Sequence, residues 1–433
     1  MSNQLMPAGR ISAPHFSPKY GPLSGIRVLV AGSIVAGPTI GTLLGDLGAE
    51  VIHIERPDTG DTMRLLPPFY EANGRKIGGE FVCVRRNELS VALDMKAEEG
   101  KKIFFELIRQ SDIFVESLVW LEERFGIKDE DIFRVNPKIV IVHVSGYGRP
   151  EFGGDPKKCR RGSYDIISQA YSGWCKLAST PEHEVYRLPL YAGDYITALF
   201  GTIGALAAYI HAQKTGEGQV VDTAQFEAIA RIIEMYHTMY YNLGVLREKE
   251  GVYRVFNQQP YGLYKAKDGW VAIGAVGPQT YSRFIKALAD VTGINPKDFP
   301  YEECSGSPEA INSPKGRELD RILNEYLKSH TREEIEEHFN KYDVPCSRVS
   351  TPDDALKDKH WIERGDIVEV LDSTTETFVK QIGIVPKFSK TPGRIWRGVP
   401  KLGEDTKRVL RELVGLNEEE LEELKRKSVI NYP

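Results

Sequence analysis

The opening of the chain constrains the fold most. "GIRVLVAG" (25–32), β-branched and apolar apart from Arg27 and closed by glycine, reads as a buried strand, "PTIGTLLGDLGAE" (38–50) has helical apolar spacing ending near Gly48, and "VIHIERP" (51–57), which opens on Val51, Ile52 and Ile54, reads as the next strand. Strand, helix and strand at this spacing make one parallel crossover, because parallel neighbours need a long connection between them. The alternation continues. "EEGKKIFFELIRQS" (98–111) leads into "DIFVES" (112–117), and "DEDIFRVNP" (129–137) leads into "KIVIVHVSGYG" (138–148). Repetition of this kind predicts an α/β, doubly wound, Rossmann-like sheet.

From about Gly193 the pattern changes to long helices around the turn "KTGEGQ" (214–219), the second helix being expected from about Asp222 to Tyr241. "YGLYKAKDGWVAIGA" (261–275) then reads as a β-hairpin with Asp268-Gly269 at its turn, and "QTYSRFIKALADVTG" (279–293) as an amphipathic helix. The expected division is a large domain over 1–225 with linker helices to about 250, a small α+β domain over 251–340, and a C-terminal part over 341–433. Pattern alone leaves that last part open as a tail or a return to the first domain.

Charge excludes some partners. Lys and Arg number 56 against 61 Asp and Glu, a net charge of -5, with no basic block interleaved with aromatics to meet nucleic acid. The first twenty residues lack the apolar core of a secretory signal, and the run from Ile196 to Ile210 is short for a membrane span, so a cytoplasmic protein without membrane attachment is expected. Five scattered cysteines without a CxxC, and nine histidines without an HExxH or HxxxH, favour neither a metal site nor a disulfide framework.

Three stretches could carry chemistry. The turn in "VLVAGSIVAGP" (28–38), with Glu55 ending the second strand where a ribose-binding acid would sit, invites a nicotinamide dehydrogenase. Its glycines argue against that, since Gly32 and Gly37 do not make a GxGxxG and Pro38 stands where a phosphate loop has its lysine. Backbone N–H groups at the helix start could still meet an anion. Arg56, Arg85, Arg86, Lys96 and Arg124 lie near element ends; each alone reads as a solvated charge, and together they could bind phosphates. "MYHTMYYN" (235–242) sets Tyr236, His237 and Tyr240 on a helix, either as core or interface or as a substrate wall that attracts a quaternary ammonium. Asp194, in "LYAGDYITALFGTIGALAAYI" (190–210), is the most informative residue. An Asp immediately before a helix is a favoured N-cap. The helix dipole there favours the ionised form, which suits a nucleophile, and Gly193 would leave room for an approaching carbonyl.

Six stretches in order resemble the class III CoA-transferases of the CaiB/BaiF type: "GPLSGIRVLVAGSIVAGP" (21–38), "GAEVIHIERPDTGD" (48–61), "SVALDMKAEEGK" (90–101), "NPKIVIVHVSGYG" (136–148), "AGDYITALFGTIGALAAYIHAQKTGEGQVVD" (192–222) and "TPGRIWRGVPKLGEDT" (391–406). The resemblance implies that Asp194 is the nucleophile and that CoA passes from an acyl-CoA donor to a carboxylic acid acceptor through aspartyl anhydride and aspartyl-CoA thioester intermediates. It implies no metal and no redox cofactor, with coenzyme A entering as the acyl-CoA substrate. Ile34, Val35 and Ala36 match the turn along the nucleotide, Arg56 the arginine of "ERP", Lys96 the lysine of "LDMK", and Arg124 the arginine of "ERFG". Gly193, Tyr147, Tyr236 and Tyr240 are candidates for the acceptor pocket. The chain departs from the family at Ser145, where some members have lysine, and in "ESLVWLEERFG" (116–126), which lacks the lysine of "ESSKG". "VFNQQPYGLY" (255–264) replaces the glycine-rich loop of formyl-CoA:oxalate transferases, which argues against oxalate. Local wording is similar to the L-carnitine and bile-acid branch, with benzylsuccinate CoA-transferase subunits nearby, so a betaine-type acid is the expected acceptor. The resemblance further implies an interlocked homodimer, or a heteromer in which this chain is the active member, with residues from about 345 rejoining the large domain.

Overall fold

The computed structural model describes residues 15–118, 120–180, 183–246 and 258–433, and divides into two compact units. The larger comprises residues up to Ser172, Pro189–Ile233 and Trp361–Pro433. Its sheet is built from β1 (Arg27–Ala31), β2 (Glu50–Glu55), β3 (Glu88–Leu93), β4 (Ile113–Glu116), β5 (Val140–Ser145), β6 (Val220–Ala224) and β7 (Ile430–Asn431). In space they run 7-3-2-1-4-5-6, all parallel except β7, which pairs antiparallel with β3. The order reverses between β1 and β4, where a doubly wound sheet opens a crevice at the carboxyl ends of its strands.

Alternate residues of the central strands face two different cores. Leu29, Ala31, Phe114 and Ile141 join one with Phe104, Leu107 and Ile108. Val28, Val30, Val115 and Val142 join the other with Ile40, Leu44, Ala198 and Ala205. This explains why β1, β2 and β3 are buried throughout and why their sequences show no polar alternation. Each fully buried Leu, Ile or Phe contributes roughly 1.5–3 kcal/mol of transfer free energy. The first core is covered by a helix over Glu98–Arg109 and by Val409, Leu410, Leu421 and Leu424 from the C-terminal segment. Over the second lie α1 (Ala36–Asp46) and a long helix beginning at Ala192.

Helices α2 (Asp165–Tyr171), α3 (Ala192–Thr215) and α4 (Gln225–Ile232) follow. Helix α3 has 24 residues and, by length and composition, could cross a membrane; it is the one such helix among the described residues. Its small residues Ala198, Ala205, Ala208 and Ala212 pack against the sheet. The helix expected from Asp222 to Tyr241 is not continuous. Val220–Ala224 is strand β6, paired with β5 from Ile141↔Val220 to Ser145↔Ala224, and two separate helices follow at Gln225–Ile232 and Glu234–Leu243. Three β-branched residues, Val220, Val221 and Thr223, favour that strand.

The smaller unit comprises Gly173–Leu188 and Glu234–His360. Its antiparallel sheet has Trp270–Gly274 between Tyr261–Lys265 and Cys346–Arg348, and the first pair is the hairpin expected around Asp268-Gly269. A helix over Gly277–Thr292, close to the expected span, packs Phe284 and Leu288 with Leu319, Leu323 and Phe339 in a separate core. Of "VFNQQPYGLY", residues 255–257 lie outside the described residues.

Candidate active site

Asp194 is the third residue of α3, not its cap. Leu190 and Tyr191, immediately before the helix, both have left-handed backbones, with φ of 59° and 56°. For side chains of this size that conformation costs on the order of 1–2 kcal/mol per residue. Two contacts hold it. Asp165 accepts from the N–H of Gly193 at 2.7 Å and of Asp194 at 3.3 Å, and the Tyr191 hydroxyl donates to Glu80 at 3.0 Å. The capping carboxylate thus comes from α2, 29 positions before Asp194, and the expectation that Asp194 caps its own helix is corrected. The space at Gly193 is also taken. A Cβ there would lie 2.7 Å from Ile229 Cδ1 and 2.9 Å from Asp165 Oδ1, so the glycine serves the close approach of the cap rather than a substrate carbonyl.

Capping by Asp165 leaves the Asp194 carboxylate with a different environment. Among the described residues its side chain takes one hydrogen bond, from Gln225 Nε2 to Oδ1 at 2.6 Å. Burial, and then the negative charge of Asp165, push its pKa up to about 7, against the lowering effect of the Gln225 bond. The sequence expectation was the reverse, a dipole-stabilised anion. It fails because the helix-start N–H groups of Gly193 and Asp194 point to Asp165.

Helix α2 is inverted. Asp165, Ser168 and Gln169 are buried, at 7%, 0% and 1% exposure, whereas Ile166, Ile167 and Tyr171 are exposed at 50%, 42% and 46%. The polar face forms a chain of bonds. Gln169 Nε2 donates to Asp165 Oδ2 at 2.6 Å, Ser168 Oγ donates to Gln225 Oε1 at 2.7 Å, and Ser163 and Ser168 hydroxyls meet at 2.9 Å. Sequence reasoning passed over Asp165, Ser168 and Gln225. A signal was present in "YDIISQAY", where three polar residues at i, i+3 and i+4 share a helical face while the rest is apolar.

An aromatic cluster adjoins this network. Tyr171 packs its ring 5.1 Å from Tyr147 and 5.1 Å from Phe226, which directly follows Gln225, and Lys158 Nζ lies 4.1 Å above the Tyr171 ring. Tyr147 thus packs on Tyr171 and Phe226, residues of α2 and α4, the two helices that carry Asp165 and Gln225. Tyr236 and Tyr240 belong to the smaller unit, where Tyr236 contacts His237 at 5.4 Å and Tyr240 is exposed.

The residues assigned by resemblance to CoA follow the carboxyl ends of four adjacent strands: Ile34, Val35 and Ala36 after β1, Arg56 after β2, Lys96 after β3, and Arg124 in the short helix Leu121–Phe125 after β4. Arg56, Lys96 and Arg124 are exposed. Ile34 is left-handed, with φ of 73°, which is unfavourable for a β-branched residue. Asp61 accepts its N–H at 3.0 Å and the buried Arg85 guanidinium donates to its carbonyl. That N–H is already used. Gly32 and Gly37 both make room for Ser117, whose Oγ would lie 2.2 and 2.6 Å from a Cβ at those positions.

Two other basic residues are likewise engaged. Arg85 is fully buried and braces the Ile34 turn, and Arg86 grips Asp46 and the carbonyl of Ile382. Neither offers a free charge to phosphate. Glu55 is not open to a ribose, because Arg64 binds it at 2.7 and 2.8 Å, Ser90 donates at 2.6 Å and the Asp61 N–H at 2.8 Å. Burial would raise its pKa, but the Arg64 charge and hydrogen bonds override that and hold it at about 2. The dehydrogenase alternative loses the acid it relied on.

Comparisons with known proteins point one way. The profile of "CoA-transferase family III" matches residues 23–406. The chain is 34% identical to the bile acid CoA-transferase BaiK of Clostridium scindens, over 95% of this chain and 90% of that protein. It is 32% identical to the alpha subunit of a succinyl-CoA–L-malate CoA-transferase of Chloroflexus aurantiacus, over 97% of this chain and 95% of that one. A crystal structure of a CaiB/BaiF family protein from Brucella suis superposes with a TM-score of 0.78 at 25% identity, covering 91% of this chain and all of that chain.

Proposed function

The chain belongs to CoA-transferase family III and is a CoA-transferase, and we propose that it works through covalent catalysis at Asp194. One observation carries this reading: the cap of α3 is supplied by Asp165, so Asp194 keeps one carboxylate oxygen without a donor among the described residues, at a strained helix start. As an anion, Asp194 attacks the donor thioester carbonyl through Oδ2; the carbon–sulfur bond breaks, giving a mixed anhydride and CoA thiolate. The thiolate attacks Asp194 Cγ, the Cγ–Oδ2 bond breaks, and the donor acid leaves. The acceptor carboxylate attacks the resulting aspartyl-CoA thioester, expelling thiolate and forming a second anhydride. Attack of thiolate on the acceptor's acyl carbon releases the new thioester and restores Asp194. Water would hydrolyse either anhydride, so the site must exclude it. Burial does this and raises the carboxyl pKa together, so the nucleophile is withdrawn from solvent at the expense of easy ionisation.

Ile34–Ala36, Arg56, Lys96 and Arg124 are proposed to hold the CoA nucleotide at the sheet's switch point, with cationic side chains meeting its phosphates. Tyr147 is proposed to line the acceptor site, together with Tyr171 and Phe226. A betaine such as carnitine, a bile acid and benzylsuccinate are the acceptors to screen first, with malate added because of the Chloroflexus relative. A homodimer, interlocked or otherwise, would cover the apolar side chains of Ile166, Ile167, Leu199 and Ile203, all more than 40% exposed. The alternative is pairing with a related subunit. The reading keeps the cytoplasmic location expected from the sequence.

Incubation with short acyl-CoA thioesters and hydroxylamine, followed by peptide mapping, should place a hydroxamate on Asp194 in the native chain and none in Asp194→Asn. No hydroxamate with any donor, from folded protein, would remove Asp194 from the reaction.

A further inference from the structure

Two of the four steps above pass through a tetrahedral centre at Asp194 Cγ itself: attack of CoA thiolate on the first anhydride, and attack of the acceptor on the aspartyl thioester. In each, the carbonyl electron pair moves onto the Asp194 oxygen that is not being replaced. That oxygen needs a donor already in place. The bond from Gln225 Nε2 to Asp194 Oδ1 supplies it, at 2.6 Å. We propose that Gln225 is a catalytic residue, the oxyanion donor for the enzyme-centred intermediates, and that Ser168 is a positioning residue that fixes which end of the Gln225 amide faces Asp194. The inference rests on the aspartyl reading and adds to it.

The amide direction follows from its neighbours. Ser168 is fully buried, and its hydroxyl donates to Gln225 Oε1 at 2.7 Å while sharing a bond with Ser163. Gln225 itself is 5% exposed. With the amide oxygen committed to Ser168, the NH2 group faces Asp194, and Oδ2 is left for attack on a thioester. A neutral donor suits both halves of the cycle. It stabilises charge as it develops on Oδ1 in the tetrahedral state, yet adds no positive charge that would hold the resting carboxylate as a tightly paired anion. The placement is also economical in chain terms: Gln225 opens α4 directly after β6, and strand and helix start fix its backbone at the sheet edge.

The test compares native chain, Gln225→Met, Gln225→Glu and Ser168→Ala in rapid-quench experiments with CoA-labelled acyl-CoA, following protein-bound CoA, alongside steady-state kinetics and thermal melts. Loss of a single oxyanion donor costs about 100- to 1,000-fold in rate. Gln225→Met should slow bound-CoA formation and kcat by about that factor with KM for acyl-CoA within about threefold. Ser168→Ala should show a smaller loss, about tenfold, because the amide can still reach Asp194 but is no longer held. Gln225→Glu should replace the native pH profile with a bell, active only where the two carboxyl groups share one proton. This variant keeps the side-chain shape and the Ser168 contact, and so remains informative if Gln225→Met fails to fold. A native chain that binds CoA covalently while folded Gln225→Met does so within fivefold of its rate overturns the inference and leaves the aspartyl reading intact. A native chain that forms neither bound CoA nor hydroxamate overturns the aspartyl reading itself.

Discussion

Replacing Asp194 by Asn should stabilise the protein, and increasingly so as pH rises. In the folded chain Asp194 has its pKa raised to about 7 by burial and by Asp165; in the unfolded chain an Asp carboxyl ionises near ~3.9. A carboxyl raised on folding binds its proton more tightly in the native state. Its effect on stability is therefore negligible below the unfolded value, and it destabilises the native state progressively as pH climbs from about 4 to 7. Linkage gives a penalty on the order of 0.5 kcal/mol at pH 4 and 4 kcal/mol at pH 8. Asn removes that penalty while still offering an oxygen to Gln225. With an unfolding entropy of about 2 cal/mol/K per residue, the gain at pH 8 corresponds to roughly 4 °C in Tm for a chain of 433 residues. Scanning calorimetry of native chain and Asp194→Asn across pH 4.5 to 8.5 isolates this group, because every other titration is common to both proteins. Curves that run parallel over the whole range would mean that Asp194 ionises normally, and the account of its environment would be refuted.

Other outcomes follow from the same geometry. Asp165→Asn keeps an oxygen to cap Gly193 and Asp194 but removes the second cause of the raised Asp194 pKa, so the acid limb of kcat/KM should move to lower pH; an unmoved limb would mean that burial alone sets it. Gly193→Ala puts a methyl group 2.7 Å from Ile229 and 2.9 Å from the cap, and should cost about 1–3 kcal/mol in denaturant melts together with most hydroxamate formation. Lys96→Ala should raise KM for acyl-CoA about tenfold with kcat little changed, whereas Arg85→Met, which removes the brace beneath Ile34, should lower Tm more than Lys96→Ala does. Equal Tm losses would place Arg85 outside the structural role given to it.

The parallel sheet was legible because its strands carry their signal locally. After Arg27, which pairs with Glu50, the run "VLVA" (28–31) is apolar at every position, as suits a strand covered on both faces. The hairpin at Asp268-Gly269 was legible for the same reason, since turn chemistry and flanking strands lie within fifteen residues. What failed was local signal in competition with long-range pairing. "VVDTAQFEAIARII" (220–233) has helical apolar spacing over most of its length, yet its first residues are recruited by β5, 75 or more positions earlier. Propensity favours both outcomes for such a segment, and tertiary contact decides.

The candidate site shows the same division in a sharper form. "GD" before a long apolar helix located the nucleophile candidate, and local chemistry suggested that Asp194 would do its own capping. Whether it does depends on a competitor that no window around residue 194 contains. Asp165 takes the helix-start N–H groups, Gln225 takes one oxygen of Asp194, and Ser168 orients Gln225. Each of these residues, read alone, is an ordinary polar side chain beside apolar neighbours. The shared burial of Asp165 and Ser168 on one face of α2, with isoleucines turned outward and Gln225 meeting that face from α4, distinguishes them. A helix that buries Asp, Ser and Gln and exposes Ile reverses the usual partition, and it persists because the buried groups are satisfied by one another and by the start of α3. Substituting the outward isoleucines should therefore leave the Asp194 network intact, whereas replacing Ser168 or Gln169 with apolar residues of similar size should disturb it even where stability rises. That separation between stability and chemistry is the signature of polar groups retained for a reaction rather than for folding.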